Sequence, residues 1–229
     1  MTEARRTFHE ELGRLEEGGL STLDLVLAQL DRTIEALEFQ DIELGQIIVN
    51  ASHELHTRCA DVHQGLLSLL ALQAPVAGEL RIVAALLHLI KHAQRMGAQC
   101  VSIARLLPMA GHDPPVREQI LDQTLAMGRY ARAEVLQCRR AFAERDVEMA
   151  HDLLERDREV NRLNREIFRL AIDAGDDSDT REWAMIMTLV ARAFERVGDN
   201  AVDIGEQTTF VATGQFREFS DVSAGVRIR

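Results

Sequence analysis

Several things are scarce in this 229-residue chain, and each scarcity narrows the possibilities. Proline occurs at only four positions, 75, 108, 114 and 115, and aromatic residues make up 4% of the sequence. Clusters of β-branched and aromatic residues bounded by turn signals, the mark of strands, are absent, which excludes an ordinary sandwich or barrel. Cysteine occurs three times, as Cys59, Cys100 and Cys138, with no CxxC pair. That odd, scattered set does not make a disulfide framework and reads as single buried thiols in a reducing compartment. Positive charge is also short. Lys and Arg total 26 against 37 Asp and Glu, for a net charge of −11 and a pI near 5.2. A basic stripe for nucleic acid is not expected. No apolar run approaches the ~18 residues of a membrane span, and the N-terminal MTEARRTFHEELGRLEEGG lacks the apolar core of a signal peptide. The expectation is a cytoplasmic protein that meets membranes only through partners. No P-loop, Rossmann glycine pattern or GxSxG is found, and no nucleophile–base constellation gives a warrant for catalysis.

What is present is helix. Apolar residues recur every three or four positions over long stretches, and the pattern predicts six helices, near 4–38, 41–71, 76–107, 114–144, 146–174 and 180–212. Pro75, the Pro108–Pro115 segment and the polar turn DAGDDSDT (173–180) supply the punctuation. The chain repeats itself. ALEFQDIELGQ (36–46) aligns with AFAERDVEMAH (141–151), a shift of 105 positions that carries Asp41 onto Asp146. QRMGAQCVSIA (94–104) aligns with ERVGDNAVDIG (195–205), shifted by 101. The third and sixth helices share a core frame stepping by fours and threes: Ile82, Leu86, Leu89, Ala93, Met96, Cys100, Ile103 and Leu107 against Trp183, Met187, Val190, Phe194, Val197, Ala201, Ile204 and Thr208. The predicted architecture is all-α, a tandem of two three-helix units over 1–110 and 111–229, packed as one elongated body.

Against that frame, Glu195, Asp199 and Asp203 form a row at intervals of four. Like charges so spaced repel by a few tenths of a kcal/mol per pair, yet the matching slots in the first unit hold Gln94, Ala98 and Ser102. The core frame is the same in both, so packing does not require the acids, and the frame places them outside the seam as a surface row. One reading is a solvated face paired weakly with Arg192 and Arg196. The other is a carboxylate site for a hard cation such as Mg, Mn, Ca or Fe. The fifth helix would then contribute Asp157 and Asn161, whose first-unit equivalents are Ser52 and His56. Gly97 and Gly198 recur at one slot, where close approach of a helix or ligand would justify the ~1 kcal/mol cost of an interior glycine. His88 and His92 have a chelating spacing, but no HExxH accompanies them.

LALQAPVAGELR (70–81), QRMGAQCVSIA and FERVGDNAVDIGE together resemble the PhoU family of phosphate-uptake regulators, over nearly the whole chain. The resemblance implies a cytoplasmic all-helical regulator, acting with the ATPase-bearing phosphate ABC transporter and a sensor histidine kinase to keep phosphate-starvation genes off when phosphate is plentiful. It also implies metal-binding E(D)xxxD motifs on the second and third helices of each unit. Here these fall on Glu195 and Asp199 with Asp157 and Asn161, and Asp203 extends the row. Their first-unit counterparts Gln94, Ala98, Ser52 and His56 are degenerate, so at most one site is expected, for iron, manganese, magnesium or zinc. A homodimer is the expected assembly for a long helical body. The competing reading is a metal-binding helical carboxylate protein with storage or enzymatic activity, and a third is a metal-free scaffold.

Overall fold

The computed structural model describes residues 3–72, 75–111, 114–175, 177–216 and 218–219. Within them the chain forms α1 (Glu3–Glu38), α2 (Ile42–Leu72), α3 (Ala77–Leu106), α4 (Glu118–Glu144), α5 (Val147–His151), α6 (Leu153–Ile172) and α7 (Ser178–Thr213), with a single 3₁₀ turn at Leu107–Ala110 and no strand among the described residues. The fifth expected helix is interrupted at Asp152, which leaves α5 as a single turn ahead of α6. Gln73, Ala74 and His112, in the expected turns, lie outside the described residues.

The duplication extends to the backbone. The turn after α1 passes through Gln40 (φ 50°) and the turn after α4 through Arg145 (φ 56°), both in the left-handed region without being glycine. The next residue donates back to an equivalent carbonyl in each unit, Asp41 N to Ala36 O (2.9 Å) and Asp146 N to Ala141 O (3.0 Å). Each aspartate then caps the helix that follows, Asp41 Oδ1 accepting from Leu44 N and Asp146 Oδ1 from Met149 N. The sequence match ALEFQD/AFAERD is thus one helix-turn-helix corner built twice. At the third corner Asp177 caps α7 by accepting from Thr180 N at 2.8 Å.

The two units lie side by side, with like helix against like: α1 packs on α4 and α3 on α7. One continuous core runs from Phe8 to Val211. Of the sixteen positions in the shared frame of the third and sixth expected helices, all except the partly buried Ile82 are buried. α7 touches α3, α4 and α6 and is the central element of the second unit. Ion pairs Arg132–Asp31, Arg139–Asp24 and Arg145–Glu16 stitch α4 to α1 along the seam. The carboxylates of Asp31 and Asp24 are exposed, which limits those two pairs to under ~1 kcal/mol each, and only Arg145–Glu16 is part-buried, so the apolar seam does most of the holding.

Candidate functional site: a buried carboxylate group in the second unit

The acidic row of α7 does not lie on one surface. Because α7 is covered on three sides, a position flanking the seam is also enclosed: Glu195 is 8% exposed, against the surface placement expected for it. Its carboxylate contacts the guanidinium of Arg192 one turn earlier. Asp203 faces the first unit. Its Oδ2 lies 3.3 Å from His92 Nδ1 on α3, and the same ring nitrogen is 2.8 Å from Asn200 Oδ1. Asn200 Nδ2 donates to Arg196 O, which orients the amide so that His92 Nδ1–H is the donor to it. Burial lowers the pKa of His92, which sits between the repeats as a neutral hydrogen-bonded ring.

Asp199 is exposed at the edge of the site, and its charge acts on Glu134 of α4 and Asp157 of α6. Asp157 raises its own oxygens toward the same place from α6, with Asn161 Nδ2 donating to Asp157 Oδ2 at 2.6 Å. The third member is one that sequence reading missed: Glu134 of α4, fully buried. Both Glu134 oxygens and Asp157 Oδ1 are buried without a hydrogen-bond partner. Gly198 lets them meet. A Cβ there would stand 2.5 Å from Glu134 Oε2 and 3.4 Å from Asp157 Oδ1, so only glycine leaves room for the carboxylates against α7. The matching Gly97 has a packing cause, since its Cβ would meet Leu55 Cδ2 at 2.3 Å and Gln29 Oε1 at 3.1 Å.

Desolvation disfavours a carboxylate here, and neighbouring negative charge adds to it. Burial, then Asp157 and Asp199, push Glu134 up to about 9, with Arg156 opposing. Burial and Asp199 push Asp157 up to about 6 despite the Asn161 hydrogen bond. Asp199 is raised by burial and Asp203, offset by Arg192 and Arg196. Glu134 and Asp157, with their orphaned oxygens, and the exposed Asp199 beside them form a hard-oxygen donor set whose charge a cation would compensate. The fit is one of donor chemistry. As the side chains stand, no three or more His, Cys, Asp or Glu among the described residues are gathered to hold a metal ion.

The first unit offers no counterpart. Gln29 occupies the Glu134 slot, Ser52 donates to Val49 O, and His56 Nδ1 sits 2.9 Å from Ser52 O. Gln94 is half-buried and Ala98 is exposed and apolar. Glu134 had a legible signal. The 105-residue shift carries Gln29 onto it, and it falls in the buried stripe Ile120, Thr124, Met127, Ala131, Val135, Cys138 of α4, where an acid is out of place.

Comparison with known proteins places both units in one family. The PhoU domain model matches residues 21–107 and again 124–208. The chain is 29% identical over 220 residues to the phosphate-specific transport system accessory protein PhoU homolog 1 of Mycobacterium leprae, covering 93% of this chain and 96% of that protein. It is 28% identical over 218 residues to PhoU homolog 2 of Mycobacterium tuberculosis, covering 93% and 99%. Among solved structures, PhoU from Pseudomonas aeruginosa superposes with a TM-score of 0.82 at 21% identity, over 91% of this chain and all of that one. PhoU from Streptococcus pneumoniae gives 0.79 at 23% identity, over 92% and 99%. At these identities the structural likeness establishes the fold.

Proposed function

Because the chain belongs to the PhoU family, we propose that it is a cytoplasmic negative regulator of phosphate uptake and of the phosphate-starvation response. In this reading it is an adaptor between the ATPase of a phosphate ABC transporter and a sensor histidine kinase, working as a homodimer. The observation that carries the reading is the match of both units to the family over a span that covers nearly all of the relatives, which are named as accessory proteins of phosphate-specific transport. The described residues include no helix long and apolar enough to cross a membrane, so contact with a transporter would be made through its other components.

The carboxylate group supports a second element of the proposal, a hard divalent or trivalent cation held by Glu134, Asp157 and Asp199. The orphaned oxygens of Glu134 and Asp157 favour it. Bound there, the cation would supply positive charge that lets the three acids ionise together. It would tie α4, α6 and α7 into one unit, a stabilising role for an adaptor. The storage or enzymatic alternative would need solvent and substrate to reach Glu134, which is fully buried.

The test is a phosphate-starvation reporter in a deletion strain grown with ample phosphate, complemented with wild type or with Glu195→Ala/Asp199→Ala. The reporter should be on in the deletion and off with wild type. A reporter still silent after removal of every paralogue would overturn the phosphate reading. Failure of the double variant at equal abundance would make the acidic face part of the function.

A further inference from the structure

Between α6 and α7 runs an open groove of about 550 Å³, on the face of α6 that carries Asp157 and Asn161, about two turns further along the helix. Its floor and walls include Phe168, Ile172 and Thr188, and its rim carries Arg165, Arg169 and Arg192. Phe168 is 56% exposed and Ile172 68%. On α7, Met185 stands one turn before Thr188 and is also exposed, as is Leu189 beside it. Exposed large apolar side chains at i,i+4 on two adjacent helices form a patch of the kind that marks an interaction site. Arg192 contacts Glu195, but the guanidinium groups of Arg165 and Arg169 make no hydrogen bond or ion pair among the described residues.

The groove is a feature of the repeat. The first unit has one at the equivalent place between α2 and α3, about 650 Å³, lined by Cys59, Ala60, His63, Gln64, Leu87 and Lys91 among others. The same 105- and 101-residue shifts carry Ala60 onto Arg165, His63 onto Phe168, Gln64 onto Arg169 and Lys91 onto Arg192. Both copies kept the cleft and its cation on the third helix. The second copy alone gained an exposed phenylalanine and two unpaired arginines.

We propose that the α6–α7 groove docks an acidic amphipathic helix of a partner protein. The apolar residues at Phe168, Ile172 and Met185 would receive its apolar face, and Arg165 and Arg169 its flanking carboxylates. Charge selects this occupant. On a chain of net charge −11, a rim of unpaired guanidinium groups is a local positive field that attracts acidic segments and repels basic ones. Length agrees: Asn164 to Ile172 spans about 12 Å of helix axis, two turns, the reach of i, i+3/i+4, i+7 anchors in helix-in-groove recognition. This deepens the adaptor reading by giving it a surface on the second unit. It is tested without the reporter, so the two stand or fall separately.

The experiment uses the full chain and a fluorescent 15-residue helical peptide with leucines at i, i+3, i+4 and i+7 and glutamates on both flanks, alongside a version with lysines in place of the glutamates. Anisotropy should show the acidic peptide binding wild type and the basic one not. Arg165→Glu/Arg169→Glu, both exposed and therefore harmless to the fold, should weaken the acidic peptide at least tenfold and gain binding of the basic peptide. Ile172→Glu should weaken the acidic peptide, and Lys91→Glu in the first groove should leave it unchanged. Equal binding by wild type and the arginine variant, no binding by wild type, or equal loss with Lys91→Glu would each overturn the proposal. So would sedimentation showing a wild-type dimer that Ile172→Glu splits, which would assign the groove to a second copy of this chain.

Discussion

Gly97 and Gly198 occupy one slot in two copies of the same unit, and what presses on each shows how the copies diverged. Around Gly97 stand Leu55 and the amide of Gln29; around Gly198 stand the carboxylates of Glu134 and Asp157. The backbone corner, the shared core frame and the glycine were all kept. The side chains meeting at the glycine changed from a neutral set to an acidic one. A buried amide can be neutral at every pH, whereas a buried acid must either hold its proton or find a counter-charge. The second unit therefore carries a liability in the absence of a cation that the first does not have.

The largest expected effect comes from erasing that difference. Glu134 has a folded pKa near 9 against an ordinary value of 4.5. Between those values the folded state binds more protons than the unfolded one, so stability is full below about pH 4.5 and is lost as pH rises toward 9. Glu134→Gln should remove most of the slope: a gain of under about 1 kcal/mol at pH 5 and about 4 kcal/mol more than that at pH 8, read by denaturant melts in metal-free buffer. The converse change, Gln29→Glu, should install the same slope in the first unit, with a smaller loss because Ser52 stands where Asp157 would repel it. Parallel pH profiles for wild type and Glu134→Gln would show that the buried acid is not strained.

Adding a cation should sharpen the contrast in the other direction. A ligand that binds only the folded state adds about 2.7 kcal/mol at one hundred times its Kd. Mn²⁺ in the melts should raise the Tm of wild type, more at pH 8 than at pH 5, because the acids must give up their protons to ligate. Glu134→Gln and Asp157→Asn should lose most of that rise, while Ser52→Ala should keep it. A rise that survives in both acid variants would place the ion elsewhere.

These contrasts also show what the sequence could reveal. The six-helix tandem was readable because its markers are local: prolines at the joins, an aspartate opening the second helix of each unit, and a core frame of fours and threes. The break at Asp152 was not readable, since no proline or glycine marks it and the apolar pattern runs through. Within the site, Asp157, Asn161 and Asp199 were reached from spacing and resemblance; Asp199 is exposed, as its place outside the seam implies, but the half-burial of Asp157 and Asn161 was not legible. Whether Glu195 is enclosed depends on how many helices surround α7, and whether Asp203 looks toward α6 or across to His92 depends on how the two units dock. Neither is a property of α7 alone. Glu134 was within reach of the repeat itself, had the shift been applied to the first helix of each unit as well as to the second and third.

The smallest effect tests whether the corners are still one structure. Asp41 accepts from Leu44 N at 2.8 Å and Asp146 from Met149 N at 2.9 Å, so each replacement by alanine should cost about 1 kcal/mol. The surroundings argue for a slight inequality. Asp41 is exposed, and water can take over its donor, whereas Asp146 is half-buried and caps α5, a helix of a single turn that ends at Asp152. Asp146→Ala should therefore cost somewhat more, and hydrogen exchange should localise its loss to α5 instead of spreading it along α6. A larger cost at Asp41 would mean that the break at Asp152 already relieves the second corner, and that the two corners share a shape without sharing a load.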